Sequence, residues 1–430
     1  MDLQKQYYEK FKNIFLHSNL HIWTISDEQL MNSKEMEQLK TIFPNGFKIF
    51  MNGMKIYKKE TFRTLRHTIH TLKVYYSIMA DRFEINLKEE NIVRLKKELK
   101  DLYAYNPLLV PLILLYHDLS RPFNRTWHNL VSEELIRENE LLKRFTLPKI
   151  IEKLIRIVIK HHLLIGTIFT GESSYYGSST LYSDLITTDE SISPWQIHIL
   201  FKTLKVFTFI DIWGYDYGII YDHYFYYYNE IARNLSVIFR KCFNLKNLSQ
   251  QQEWLKDALF RLDQYNLKWR IAGALRIFQF VSTKSYLTEK FYFAKIEEGL
   301  LKQGTSWNEF RRSLNKNHPR IQLKYALPLM MVLASKHFER APIRKSFKIY
   351  KDIFDFWDLC SKKVNDAISS FHMDNGHLFY FIFDLPRHWF FNSSYRDYVK
   401  QHILSNISVS SFSFNEKISE YNINIIIKEI

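Results

Sequence analysis

Residues 107–123 read PLLVPLILLYHDLSRPF, and the passage from apolar to polar at His117 and Asp118 decides how the chain is read. The run Pro107 to Tyr116 is too short to span a bilayer. It ends in adjacent His and Asp, and an ionised Asp at the end of a buried apolar run needs a partner, because an unpaired buried charge is costly. A metal ion is one such partner. On both sides apolar residues recur at spacings of three and four, through 62–82, 90–105, 108–118, 128–143, 148–164 and 195–213. That is the period of packed helices. With only 11 Gly and 10 Pro in 430 residues, helices are favoured over a sandwich or barrel.

Outward from this core the pattern changes. In residues 1–59 the first fifteen positions are helical in pattern and another helix starts near Ser26. Phe47-Lys48-Ile49-Phe50 and Met54-Lys55-Ile56-Tyr57 flank Asn52-Gly53, the strongest short hairpin signal, so a small β-hairpin is expected near 47–57. Residues 171–194, rich in Ser, Thr, Tyr and Asp, read as a long loop and a candidate lid. Beyond 230 helical segments continue with basic clusters. Near 407–427, Ile407, Val409, Phe412 and Phe414, then Tyr421, Ile423, Ile425 and Ile427, alternate with polar residues as a terminal pair of strands would. The expected fold is all-α with these minor β elements. The expected division is a leader at 1–59, a helical domain at 60–229 and a mainly helical region at 230–430.

Composition narrows the partners. The net charge of +15 and pI near 9.4 give a surface that attracts nucleic acid, anionic membrane or nucleotides, or serves solubility alone. The basic residues Arg311, Arg312, Lys316, Arg320, Lys324, Arg340, Arg344, Lys345 and Lys348 are either a polyanion grip or the solvated face of helices. Two cysteines, Cys242 and Cys360, form no CxxC pair, which argues against a thiolate zinc knuckle or a disulfide framework. The N-terminus lacks the basic-then-apolar order of a signal peptide, so a cytoplasmic protein without a membrane span is expected.

Histidines and aspartates then recur in significant places. His67 and His70 are three apart and project from one helix face. His117-Asp118 closes the apolar run. His128 opens a new amphipathic helix. His161-His162 closes the helix 150–160, and Asp211 lies within Phe207-Thr208-Phe209-Ile210-Asp211. This order resembles the HD superfamily of metal-dependent phosphohydrolases over about 60–220. His70-Thr71-Leu72-Lys73-Val74 looks like the family's first-histidine helix and Tyr116-His117-Asp118-Leu119 like its signature doublet. His128 with Ser132-Glu133-Glu134 resembles the third-histidine helix, and Asp211 resembles the closing aspartate.

The resemblance implies a ligand set, and as partner a phosphorylated small molecule or nucleotide, with nucleic acid possible. His70, His117, Asp118 and Asp211 would hold one metal, and His128, His161 and His162, with Asp118 bridging, a second. His67 would be a surface or supporting residue. Imidazole and carboxylate ligands suit Mn, Fe, Zn, Co or Ni, one or two ions per chain. Many relatives carry a lysine three residues after the doublet's Asp. Here that position is Arg121, which with Arg125 is expected to contact phosphate in a two-pronged manner. Glu172 is a candidate acid–base or supporting group. The glycine-tyrosine-proline motif of the cyclic-dinucleotide branch is absent after His162, where the chain runs Leu163-Leu164-Ile165-Gly166-Thr167. The resemblance therefore does not support a cyclic dinucleotide. Three functions follow: a phosphohydrolase acting on a nucleotide or related ester, a nuclease or phosphodiesterase gripping nucleic acid through the basic C-terminal region, and a non-catalytic helical module.

Overall fold

The computed structural model describes residues 3–262 except for short gaps (19–20, 126, 170–173, 187–191, 217, 221 and 260), a few positions between 297 and 309, and the strand segments 321–324, 378–383, 407–415 and 420–427. Twelve α-helices cover most of the first stretch: α1 (Leu3–Leu16), α2 (Asp27–Met31), α3 (Lys34–Ile42), α4 (Pro44–Met79), α5 (Glu89–Tyr105), α6 (Leu109–Tyr116), α7 (His128–Glu138), α8 (Lys149–His161), α9 (Leu164–Phe169), α10 (Ser174–Ile186), α11 (Pro194–Trp213) and α12 (Asp222–Phe243). The all-α expectation holds here. Among the described residues no helix is long and apolar enough to cross a membrane.

Two compact units divide the chain, 1–166 with 184–244 and 167–183 with 245–430. In the first, α6 is buried on every face and forms the axis, with α4, α5, α8 and α11 packed against it. A helix that is apolar all round has no solvent face and must be central. α8 is amphipathic and turns Ile151, Leu154, Ile155, Val158 and Ile159 inward. α11 starts at a complete capping box: Ser193 Oγ accepts from Gln196 N at 3.3 Å, and Gln196 Oε1 accepts from Ser193 N at 2.7 Å, with Pro194 in the first turn. Residues 1–59 pack into this same unit, with α1 and α3 against α4.

Two local expectations are corrected. No hairpin forms at 47–57; this stretch is the N-terminal part of α4, which bends at Tyr57 (φ −143°, ψ 81°). Phe43, Phe47, Phe50 and Gly53 are buried while Asn52 and Ile56 are exposed, a spacing of three and four that outweighs the Asn-Gly signal. Gly53 serves helix packing rather than a turn, because a Cβ there would lie 2.7 Å from Pro122 Cβ. Nor is 171–194 a continuous loop, since α10 occupies Ser174–Ile186. Its serines at 174 and 178 share a buried face with Leu181, Tyr182 and Leu185, so small polar residues there reflect close packing.

The second unit contains a four-stranded sheet in the order β1 (Ile321–Lys324), β2 (Leu378–Phe383), β4 (Glu420–Ile427), β3 (Ile407–Asn415). The expected terminal strands are β3 and β4, antiparallel, with Phe412 opposite Ile423 and Val409 opposite Ile425. β1 and β2, parallel to each other, were not foreseen; β2 also runs parallel to β4. LFYFIF at 378–383 is a short apolar run without alternation, which periodicity alone does not separate from a buried helix. Apart from Lys324 in β1, the basic residues read as either a polyanion grip or a solvated helix face lie outside the described residues.

Candidate metal centre

Five helices of the first unit each bring one or two polar groups to a common point. Asp118 follows the C-terminus of α6, which places it at the centre, and it is 2% exposed. The loop after it is tied to α7: Ser120 N donates to Ser132 Oγ at 3.0 Å, and Ser120 Oγ donates to the His128 carbonyl at 2.7 Å. This lashing sets His128 Nε2 3.2 Å from Asp118 Oδ1. His162, at the end of α8, places its Nε2 3.3 Å from that of His128. On the other side His117 Nε2 lies 3.7 Å from Asp118 Oδ2 and 3.2 Å from Asp211 Oδ1. His67, from α4, places its Nε2 2.8 Å from Asp211 Oδ1.

These groups form two buried triads, His67–His117–Asp118 and Asp118–His128–His162, each with its ligand atoms within 4.8 Å of one another. They share Asp118, whose two oxygens face opposite triads. Asp211 adjoins the first.

The rings show what the cluster is built to receive. His117, His128 and His162 each place Nδ1 2.8–3.0 Å from the carbonyl three residues earlier, on Leu114, Arg125 and Ile159. A carbonyl only accepts, so Nδ1 carries the proton and the neutral ring turns a bare Nε2 lone pair into the cluster. Two such lone pairs face each other between His128 and His162, and one faces a carboxylate oxygen at His128. Buried His117 Nε2 has no hydrogen-bond partner despite its closeness to Asp211. Lone pairs confronting lone pairs repel unless a cation lies between them. Bonds of about 2.1 Å to one ion put neighbouring ligand atoms roughly 3–3.5 Å apart, which matches the 3.2 and 3.3 Å separations around His128. The residues present fit a metal.

Ionisation of the second triad agrees with this. Burial pushes His162 down to about 3, with His128 and His117 nearby adding to the effect, so it is neutral. Burial also lowers His128. Burial opposes ionisation of Asp118, yet His117, Arg121 and His128 hold its carboxyl well below the usual carboxylate range. Asp211 is held low in the same way by His117 and His67. His117 is raised, since Asp118 and Asp211 outweigh its burial.

The expected residues separate at this point. His117, Asp118, His128, His162 and Asp211 come together. His70 does not join them. Its Nδ1 donates to the Gly214 carbonyl at 2.9 Å and its ring meets the edge of Trp23; His67, three residues earlier, faces the cluster instead. Gly214 makes room for that, because a Cβ on it would lie 2.8 Å from His67 Cε1. His161 also turns away, its Nε2 2.7 Å from Asp184 Oδ2, with Lys160 Nζ on the other carboxylate oxygen at 2.7 Å. Consecutive helix positions diverge by about 100°, so only one of the pair can point inward. Glu172 lies outside the described residues.

Arg121 bonds Asp118 Oδ2 at 2.8 Å, Glu60 Oε1 at 3.0 Å and the Tyr215 hydroxyl at 3.0 Å. Arg125 lies 3.6 Å from Glu60 Oε2 and is half exposed. Sequence reading missed Glu60 and Tyr215. The Tyr215 ring stacks on His67 at 4.0 Å and roofs the first triad. Glu60 could have been found as an acid seven residues before His67, on the same helix face. Comparison with models of known families, with curated proteins and with solved structures found no match for the chain.

Proposed function

We propose that this protein is a metal-dependent phosphohydrolase of HD type, acting on a phosphate ester such as a nucleotide. One observation carries the reading: three buried histidines with their Nδ1 protons committed to backbone carbonyls turn bare Nε2 atoms toward two carboxylates. Such a set, left without a cation, costs free energy. His67, His117, Asp118 and Asp211 would hold one divalent ion, and Asp118, His128 and His162 a second. Bound metal supplies an acidified water and neutralises charge developing on phosphoryl oxygens.

The chain's own groups do the rest. The three backbone carbonyls orient the histidines and hold their tautomers. Arg121 is held through Nε and Nη1 by Glu60, Asp118 and Tyr215, which leaves its Nη2 to donate to a phosphoryl oxygen and orient the ester. Glu60 holds that guanidinium in place.

The test is elemental mass spectrometry of the purified full chain, wild type and Asp118→Ala. One to two equivalents of Mn, Fe, Zn, Co or Ni, lost in the variant, support the reading. Wild-type protein that is metal-free and takes up none of these ions overturns it.

A further inference from the structure

Beside the metal cluster, at the bend of α4, a cavity of about 880 Å3 is walled by Trp23, Tyr57 and Phe62 and lined by basic side chains. Lys58 and Lys59 are exposed there, and Arg63, Arg125 and the acid Asp27 also line it. Arg66, also in the wall, is committed elsewhere: it pairs with Asp27 at 2.7 Å and donates to the Ile22 and Ile25 carbonyls. Glu60 forms the floor. It is 4% exposed, and three guanidiniums converge on it, from Arg121, Arg125 and Arg63 at 3.0, 3.6 and 4.0 Å. One carboxylate neutralises one of these three charges. The lysines, Arg63 and Arg125 therefore leave the cavity strongly positive. Through Glu60 and Arg121 its floor is two contacts from Asp118.

We infer that this cavity is a subsite for linked phosphates, holding the non-scissile part of a small oligophosphate substrate while the scissile ester reaches the metal cluster. The inference rests on reading that cluster as a phosphohydrolase centre. A single phosphate would be satisfied by Arg121 alone; four further cations within one cavity match a chain of two or three phosphates. The volume is that of a small-molecule site, which favours a compact ligand. Lys58 and Lys59 project there because α4 bends at Tyr57, directly before them.

The experiment is calorimetric titration of EDTA-treated full-length protein with sodium tripolyphosphate, inorganic phosphate and a single-stranded DNA oligonucleotide. Saturable binding of one tripolyphosphate per chain is expected, at least about tenfold tighter than inorganic phosphate. Lys58→Ala with Lys59→Ala, both at exposed positions where folding is not at risk, weakens it by about tenfold, and adding Arg63→Ala weakens it further. Asp118→Ala retains it. Absence of tripolyphosphate binding, equal binding by the lysine variant, or binding of the oligonucleotide alone overturns the subsite. Metal content is measured separately, so a metal-free wild type refutes the catalytic reading while loss of tripolyphosphate binding refutes this one.

Discussion

His67 and His70 lie one helical turn apart on α4, yet the structure gives them different work. The half-exposed positions of this helix run Arg63, Arg66, His70, Lys73, Ser77, a stripe at alternating three- and four-residue spacing. His70 belongs to that stripe and His67 to the buried face between Thr64 and Thr71. The stripe is readable in sequence, since four of its five members are Arg, Lys or Ser. It was outweighed by the resemblance of His70-Thr71-Leu72-Lys73-Val74 to a family motif. His67→Ala is expected to lower metal affinity by about 10- to 100-fold, with His70→Ala retaining metal near wild-type levels. Competition with a metal-binding dye checks this, and the opposite ranking would restore His70 as the ligand.

At the scale of elements, α11 carries Asp211 and must be held in register against α5 and α12. A buried ion pair does much of that. Lys205 Nζ lies 2.6 Å from Glu98 Oε2 on α5 and bonds Asn229 Oδ1 on α12 at 2.6 Å. Burial lowers the lysine's pKa, and Glu98 works against that shift. Removing one partner strands a buried charge, so Glu98→Ala is expected to cost about 3 kcal/mol in chemical denaturation. Replacing both partners with apolar chains of similar length, Glu98→Leu with Lys205→Met, removes both charges and is expected to cost less than Glu98→Ala alone. A Glu98→Ala variant as stable as wild type would show that the pair is solvated. The aromatic run after Trp213 serves the same packing: Phe225 stacks on Phe209 at 4.8 Å and Tyr228 meets it edge-on.

For the whole molecule the buried histidines link stability to pH. His162, pushed down to about 3, stays neutral in the fold while its unfolded counterpart takes a proton near 6.5. Between those values the unfolded chain binds more protons, so stability is full above 6.5 and is lost as pH falls. This residue alone contributes about 2 kcal/mol between pH 7 and 5. His128 and His70, both lowered by burial, act in the same direction, and His117, raised by Asp118 and Asp211, acts against them. The Tm of metal-free protein is therefore expected to fall from pH 7 to pH 5. Saturating divalent metal should raise the Tm at pH 7 and make that fall steeper, because protons compete for the same nitrogens. Scanning fluorimetry at the two pH values decides it, and a Tm that is flat or rises toward pH 5 would mean that the cluster is hydrated.

The sequence by itself determined the helical class of the described residues between 3 and 262, the terminal strands and which histidines and aspartates gather in the buried cluster, two positions excepted. These rest on local facts: period, composition and a polar pair closing an apolar run. Tertiary structure decided which of two neighbouring histidines turns inward, that Gly53 packs against Pro122 within a helix, and that α10 forms in a Ser-rich stretch. It also brought Glu60 and Arg63 to Arg121 and Arg125. The reason is the same in each case. Local spacing gives the face on which a side chain lies, but the partner that face meets comes from a helix distant in sequence, and only packing brings the two together.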